Sequence, residues 1–590
     1  MSRPTSFIMR YRWLGMCLSV IFLLSLIPLL PAALSGDVFG DVINPRYTDS
    51  YYTPMVREVA DGYPLLGNPF FFEHRESVTP AFILPFLVSA APLFVGMSLP
   101  VTVVFNFILW SLVFGIIVYA LMRRLGLSDA WAFVATTLVY VHLYGQLIRP
   151  VSMQVVQPVF MLFILAFFFW WERPANKYRD ALLGLAIAIT LYDYTYLLQI
   201  IIVFLGLVFV YLLYTKDWRR IAHALIVGVY ASVLGIPFLA LTFTQLHDAN
   251  YADSMFRIGL AYTHLPAGEA FIGGARILSL LALAYVTWKW LFRTRELSSR
   301  PNILQFLAVG IAIEIVAFAN VITGLDLETA SHAARFVAVW LVIGSLVAVY
   351  YLFSVRRSIG DISILKKIIL GLLVVLVGAS NIAYAQDVLG YFDLEGDRAQ
   401  REEMQAMLPA FEWLDQHEAR PIVVWTDPDT YLGIYVTMYT KHYVLYASPG
   451  ILQLVSSDET EERFLLASAV SKTTQESITN DVWMYDGAGA AADTPNTVNR
   501  SVKICRALQL ESLGFSCGEL TNARTLYAAH YAEMYERYKA QILPNLKDEL
   551  KKFHVSYILK DVENDTDFHP ESLSYAKEVY SDGRFVIYKI

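Results

Sequence analysis

Apolar residues in this chain come in long unbroken runs, with charge confined to short clusters between them, from a first run at residues 14–34 to a last one at 368–385. A helix that crosses a bilayer must bond its own backbone internally and needs about 20 residues to do so, and the runs on this criterion give about eleven spans. One run breaks the count. If residues 80–95 and 101–122 both crossed, Arg123 and Arg124 would emerge opposite the other basic turns. Residues 80–95, short and flanked by proline, are therefore expected to form a helix lying in the outer interface. The basic turns at 123–124, 173–179, 216–220, 293–300 and 356–367 then share the cytoplasmic side, as lysine and arginine require. Arg3, Arg10 and Arg12 precede the first run, which is long for a signal-peptide core, so it reads as an uncleaved span with a cytoplasmic N-terminus.

Beyond residue 386 the pattern becomes that of a globular domain. A charged helical stretch at 398–417 alternates with short β-rich runs at 421–426, 442–446, 555–559 and 585–590, which predicts an α/β layer structure. Residues 486–498, rich in Gly, Ala, Thr, Asn and Asp, read as a surface loop. The expected fold is a polytopic α-helical membrane module (1–385) with an outer loop at 35–79 and an interfacial helix at 80–95, followed by a soluble extracytoplasmic α/β domain (386–590). No internal repeat of the inverted-transporter kind is visible.

Composition sharpens this picture. Of 590 residues, 56% are apolar and 16% charged, against roughly 45–50% and about 25% in soluble domains. A formal charge of −7 argues against a nucleic-acid partner, which calls for a basic face. Cys17 lies inside the first run as a small hydrophobe, whereas Cys505 and Cys517 lie in the part expected to face an oxidising compartment. A bridge between them stands open, because spacing alone does not fix the geometry.

Chemistry concentrates in the first outer loop. Asp37, Asp41, Arg46, Asp49, Glu58, Asp61, Glu73, His74, Arg75 and Glu76 are interleaved there with Tyr47, Tyr51, Tyr52 and Phe70 to Phe72. Ionised groups near lipid are costly, so the mixture suggests a folded loop over a polar cavity, the alternative being a solvated loop with interfacial anchors. No Gly-rich phosphate loop, paired-cysteine zinc spacing or His-Glu helix motif occurs.

The order of a span, an acidic loop containing Thr48-Asp49-Ser50-Tyr51-Tyr52, then Glu73-His74 and a Pro80-led helix resembles the GT-C superfamily of membrane glycosyltransferases, of the protein O-mannosyltransferase and lipid A aminoarabinose transferase type. The resemblance implies transfer of a sugar from a polyprenyl-phosphate donor to a protein, lipid or glycan acceptor on the extracytoplasmic face of, in the setting it suggests, a bacterial cytoplasmic membrane. It places Asp49 at the catalytic centre, where a carboxylate takes the proton of an attacking hydroxyl. Only one carboxylate stands in Thr48-Asp49-Ser50, which weakens the case for a metal ligand set and leaves a divalent cation, Mg or Mn, open. Glu73, His74 and Tyr52 are expected to line the site or meet the acceptor, with capping or surface roles as the alternative for Glu73.

Further along, Arg149 is a cation on the outer side, suited to a phosphate or to a lipid headgroup. Asp193, in Tyr192-Asp193-Tyr194-Thr195-Tyr196, faces the cavity or needs no special role. His332 and Arg335, three residues apart, share a helix face. Arg335 matches the late-span arginine that meets donor phosphate in GT-C enzymes. The loop at 245–269 reads as a lid, or as a loop packed on the C-terminal domain. Two rival classes remain: a flippase of lipid-linked saccharide, using Arg149, Asp193 and Arg335 as pathway residues, and a non-catalytic envelope assembly protein.

Overall fold

The computed structural model describes residues 5–30, 42–43, 49–80, 82–274, 276–278, 301–354 and 394–590. Helix α1 (Thr5–Ser25) is followed by a loop that carries α2 (Tyr52–Ala60) and α3 (Leu84–Phe94). Helices α4 (Leu99–Arg124), α5 (Asp129–Ile148), α6 (Ser152–Glu172), α7 (Lys177–Asp193), α8 (Thr195–Thr215) and α9 (Trp218–Leu246) then run back and forth. Next come α10 (Tyr251–Ile258), strand β1 (Leu260–Tyr262), α11 (Pro301–Ala317), β2 (Leu325–Leu327) and α12 (Thr329–Ser354), with β1 and β2 antiparallel.

Among the described residues, seven helices are long and apolar enough to cross a membrane: α1 with its extension to Leu29, α4, α5, α6, α8, α9 and α12. Helices α7 and α11 have 17 residues each, about 25 Å of rise against a hydrocarbon core of about 30 Å. Both are nonetheless built into the bundle, α7 between α6 and α9 and α11 between α8 and α12. The expected span before the basic turn at 293–300 and the last one at 368–385 lie largely or wholly outside the described residues. Helix α3, with 11 residues, rises only about 16 Å and is too short to cross. The chain is a polytopic helical membrane protein with an appended α/β domain.

The basic turns among the described residues gather at one end. Arg124 pairs with Glu172 at 2.6 Å, Asn302 donates to Glu172 at 2.9 Å, and the Tyr351 hydroxyl donates to the Leu125 carbonyl at 2.6 Å. The Arg220 guanidinium lies 4.6 Å from the Trp171 ring centre. These ties put the ends of α4, α6 and α12 level with the starts of α9 and α11; this end is called the basic end here, and the opposite one the loop end.

The C-terminal domain opens with α13 (Leu394–His417), β3 (Val423–Trp425), α14 (Leu432–Tyr439), β4 (Tyr443–Val444) and α15 (Ser457–Ala467). It continues through α16 (Ala528–Arg537) and α17 (Leu543–Lys552) to β5 (Val555–Asp561), β6 (Lys577–Ser581) and β7 (Phe585–Lys589). The five strands form one sheet in the order β4-β3-β5-β7-β6, parallel among the first three and antiparallel on either side of β7. Four of these strands fall on the β-rich runs of the sequence. The fifth, β6, is a largely solvent-facing edge whose Lys577 and Glu578 obscure its pattern, a usual defence of an exposed edge. Residues 486–498 are not a surface loop: they form a wide helical turn, Gly489–Asp493, and a short helix, Thr494–Val498. Gly487 and Gly489 press on the backbone of α10, where an added Cβ would come within 2.5 Å of the Arg257 carbonyl and 2.0 Å of the Phe256 carbonyl. Cys505 and Cys517 form a disulfide, with Cα atoms 5.5 Å apart.

Candidate active site at the loop end of the bundle

Asp49 is fixed by the start of α2. Its Oδ1 accepts the N–H groups of Tyr51 at 3.0 Å and Tyr52 at 2.9 Å, as a helix-capping carboxylate does. Its own N–H donates to Thr53 Oγ1 at 3.2 Å. The other oxygen, Oδ2, lies 2.8 Å from Arg149 Nε. Arg149 also lies over the Tyr52 ring, 4.9 Å from its centre.

Arg149 owes its place to an abrupt turn between α5 and α6. The Ser152 N–H donates to the Pro150 carbonyl at 2.8 Å, closing a three-residue turn around Val151 at φ +66° and ψ −68°. That conformation is rare and strained for a β-branched residue. The turn leaves Arg149 projecting from the C-terminal end of α5, where the helix dipole favours a cation.

The other half of the polar cluster is built where α7 and α8 meet with one residue, Tyr194, between them in extended conformation. Arg335 Nη1 donates to the Tyr194 hydroxyl at 3.2 Å, and that hydroxyl donates to His332 Nδ1. His332 Nε2 donates to Glu328 at 3.2 Å, so donors and acceptors run in one direction from Arg335 to Glu328. Tyr196 stacks flat on the His332 ring at 4.1 Å, and its hydroxyl reaches the Leu327 carbonyl. His332 and Arg335 thus share one face of α12. Phe82 joins the two halves, 5.2 Å from the Tyr194 ring and 6.4 Å from that of Tyr52. Arg149 and Arg335 both act electrostatically on the Tyr194 hydroxyl. Among the described residues no carboxylate pairs with Arg335, whose guanidinium donates to the Tyr194 hydroxyl.

Asp49, Tyr52, Arg149, His332 and Arg335 are therefore brought together; Glu73, His74 and the segment read as a lid are not. Glu73 pairs at 2.5 Å with Arg463 of α15, and His74 lies 3.0 Å from Glu459 of the same helix. Arg463 is fully buried between the rings of Phe71 and Phe553, at 4.4 and 4.2 Å. Glu73 and His74 thus dock the first loop onto the C-terminal domain; sequence spacing gives no sign of which neighbour a loop acid will meet. Asp193, directly before Tyr194 in the chain, is fully buried, and neither of its oxygens has a hydrogen-bond partner. The segment read as a lid is anchored, since buried Arg257 donates to the Ile451 carbonyl at 2.7 Å and to Ser457 Oγ at 2.9 Å. Asp253 accepts the Ser457 N–H at 2.8 Å.

A second tie runs from the C-terminal domain to α12. Arg500 pairs with Asp326 of β2 at 2.5 Å, and the other oxygen of Asp326 accepts the Thr329 N–H at 3.2 Å at the first turn of α12. Tyr194 and Glu328 were the residues sequence reasoning passed over. The signal for Tyr194 was its place in an aromatic run at a helix break, which drew attention to the neighbouring acid instead.

The oxygens of Asp49 serve two N–H groups and a guanidinium, and it belongs to no group of three ligating side chains among the described residues. One such group exists in the C-terminal domain, where ligating atoms of Glu461, Asp486 and His530 lie within 4.8 Å of one another. His530 is bonded to Glu461 at 3.0 Å and Arg537 stands 3.7 Å from it, so an ion-pair network accounts for this cluster.

Bundle, loop-end polar cluster and docked α/β domain together define a polytopic membrane protein with a polar site at one end of its helices. No family model and no curated relative matches the chain. Two solved structures of ArnT from Cupriavidus metallidurans, one bound to undecaprenyl phosphate and one in the apo state, align over 98% of this chain and 98% of theirs, at 13% identity and TM-scores of 0.41 and 0.42. A likeness at that level assigns no ligand and no residue role to this chain.

Proposed function

We propose that the chain is an inverting glycosyltransferase that moves a sugar from a polyprenyl-phosphate donor to a hydroxyl of a protein, lipid or glycan acceptor at the loop end, on the extracytoplasmic face. The observation that carries this reading is the balance of two guanidiniums, Arg149 paired with Asp49 and Arg335 donating to the Tyr194 hydroxyl with no carboxylate partner among the described residues, while Glu328 is held by His332. A phosphate leaving group calls for that balance, because guanidinium forks match its oxygens and stabilise the charge it carries away.

In the proposed step the acceptor oxygen attacks the anomeric carbon and forms the new glycosidic bond. The bond from that carbon to the lipid phosphate breaks, and its electron pair leaves with the phosphate toward Arg335 and Arg149. Asp49 takes the acceptor proton. A single displacement inverts the anomeric centre and requires only one carboxylate, since phosphate departs without protonation. Arg149 is shared: paired with Asp49 at rest, it is drawn toward phosphate when donor enters, leaving Asp49 to act as base.

The test is reconstitution with radiolabelled polyprenyl-phosphate sugars. Covalent transfer of label by the wild type and its loss in Asp49→Asn are expected. Movement of intact lipid across the bilayer without transfer supports the flippase class instead.

A further inference from the structure

The lipid-facing side of the bundle carries a groove that the proposed chemistry does not use. Helices α8 and α9 form its walls and α6 and α7 its floor; Phe167, Trp170, Leu183, Leu205, Leu212 and Val227 are among the lining residues, and its volume is about 300 Å³. Every lining residue is apolar. The single polar atom among them, Trp170 Nε1, is spent on Asp180 at 2.9 Å, and the other Asp180 oxygen is held by His223 at 2.7 Å. A sugar or phosphate would lose its water there and gain no partner, whereas hydrocarbon loses nothing.

Two glycines keep the groove open. Gly206 on α8 and Gly228 on α9 border it, and a Cβ added at either meets nothing within 4 Å. Neither has the positive φ or the close approach that requires glycine. A mid-helix glycine costs roughly 0.5–1 kcal/mol relative to alanine, and here the fold gains no packing from it. The groove also ends near cations. Leu212 lies one helical turn before Lys216, and Lys216 and Arg219 are both exposed with no carboxylate paired to them among the described residues. Their neighbour Arg220 is occupied by Asp217 at 2.6 Å.

We propose that this groove holds an acyl chain of an anionic phospholipid whose phosphate is bound by Lys216 and Arg219. Charge complementarity selects the occupant, because a zwitterionic headgroup satisfies two adjacent cations less well. The site lies at the basic end, away from Asp49, and does not depend on the proposed reaction.

Native mass spectrometry of the full-length protein, released from bilayers of mixed phosphatidylglycerol and phosphatidylcholine, tests this directly. The wild type is expected to retain phosphatidylglycerol. The double variant G206L/G228L fills the groove and loses the lipid, with thermal stability in lipid-free detergent unchanged or higher. The surface variant K216Q/R219Q, which does not touch the folded core, still carries lipid but prefers phosphatidylglycerol roughly tenfold less. Equal retention by G206L/G228L reveals only annular lipid and overturns the proposal, as does a wild type that takes both lipids alike. Should the filled variant fail to fold, an unchanged preference in K216Q/R219Q overturns it alone.

Discussion

Arg149 and Asp49 form a 2.8 Å ion pair between the first loop and the end of α5, and the same guanidinium rests on the ring of Tyr52. The pair joins the first loop to the α5–α6 turn and neutralises the acid until another anion claims the arginine. Asp49→Asn keeps the capping oxygen but cannot take a proton. Transfer is expected to fall about 10²–10⁴-fold, with donor affinity little changed. Wild-type transfer by this variant, measured with labelled donor, would remove Asp49 from the mechanism.

Arg335 tests the phosphate assignment. Hydrogen bonds to charged groups contribute about 1.5–3 kcal/mol, so Arg335→Gln should lower kcat/KM for donor roughly 10–100-fold. Arg335→Lys keeps the charge without the fork and should recover part of this. Tyr194→Phe removes only the shared hydroxyl and should cost less than Arg335→Gln. A rise in acceptor KM with donor kinetics intact would place Arg335 on the wrong substrate.

Glu58 makes docking of the first loop depend on pH. It is buried, accepts the Tyr443 hydroxyl at 3.3 Å, and has its pKa pushed up to about 8 by burial and by the charge of Asp61. A folded pKa above the unfolded value of 4.5 favours the protonated form, so this stability is full below about pH 4.5 and is lost as pH rises through about 8. Thermal unfolding should therefore weaken between about pH 5 and 9 in the wild type more than in Glu58→Gln. Parallel profiles for the two proteins would exclude Glu58 as the cause.

Arg463 is the buried centre of the interface between loop and domain. Arg463→Met leaves Glu73 without its partner and Glu459 with His74 alone, and should destabilise by about 3–5 kcal/mol, as breaking a buried pair does. Glu459 feels burial as an upward push, yet the hydrogen bond with His74 and the charge of Arg463 hold its pKa down at about 2. Its contribution is therefore present above its unfolded value of 4.5 and fades as pH falls toward about 2. Unchanged melting in Arg463→Met would show that the interface is held elsewhere.

The Cys505–Cys517 bridge closes a short loop, for which chain entropy gives an upper value of about 3 kcal/mol. Cys505→Ser should lower the unfolding temperature under oxidising conditions and have no effect once reductant is added. Alkylation of protein isolated without reductant should leave both thiols unlabelled. Full labelling would place the domain in a reducing compartment and count against the extracytoplasmic assignment.

Much of this layout could be read from the chain because hydrocarbon imposes it. The runs that became α4, α5, α6 and α12 satisfy a length and polarity rule that no tertiary contact can override, and the basic turns followed from it. His332 and Arg335 were legible as a pair because helical spacing alone puts them together. Partners across the chain were not. Glu73 and His74 sit beside the acidic loop in sequence, yet their ionic partners lie nearly four hundred residues away on α15. Residues 486–498 read as loop because glycine, asparagine and aspartate are common in turns, whereas here Gly487 and Gly489 let α10 approach closely. Tyr194 was passed over for Asp193 because charge draws attention more readily than an aromatic hydroxyl.

Arg500 reaches Asp326, and Asp326 in turn holds the first amide of α12. The helix bearing His332 and Arg335 is therefore geared to the C-terminal domain through one carboxylate. A macromolecule that settles on that domain and tilts it would turn the His332 and Arg335 side chains without touching them, giving the domain a way to report that cargo has arrived.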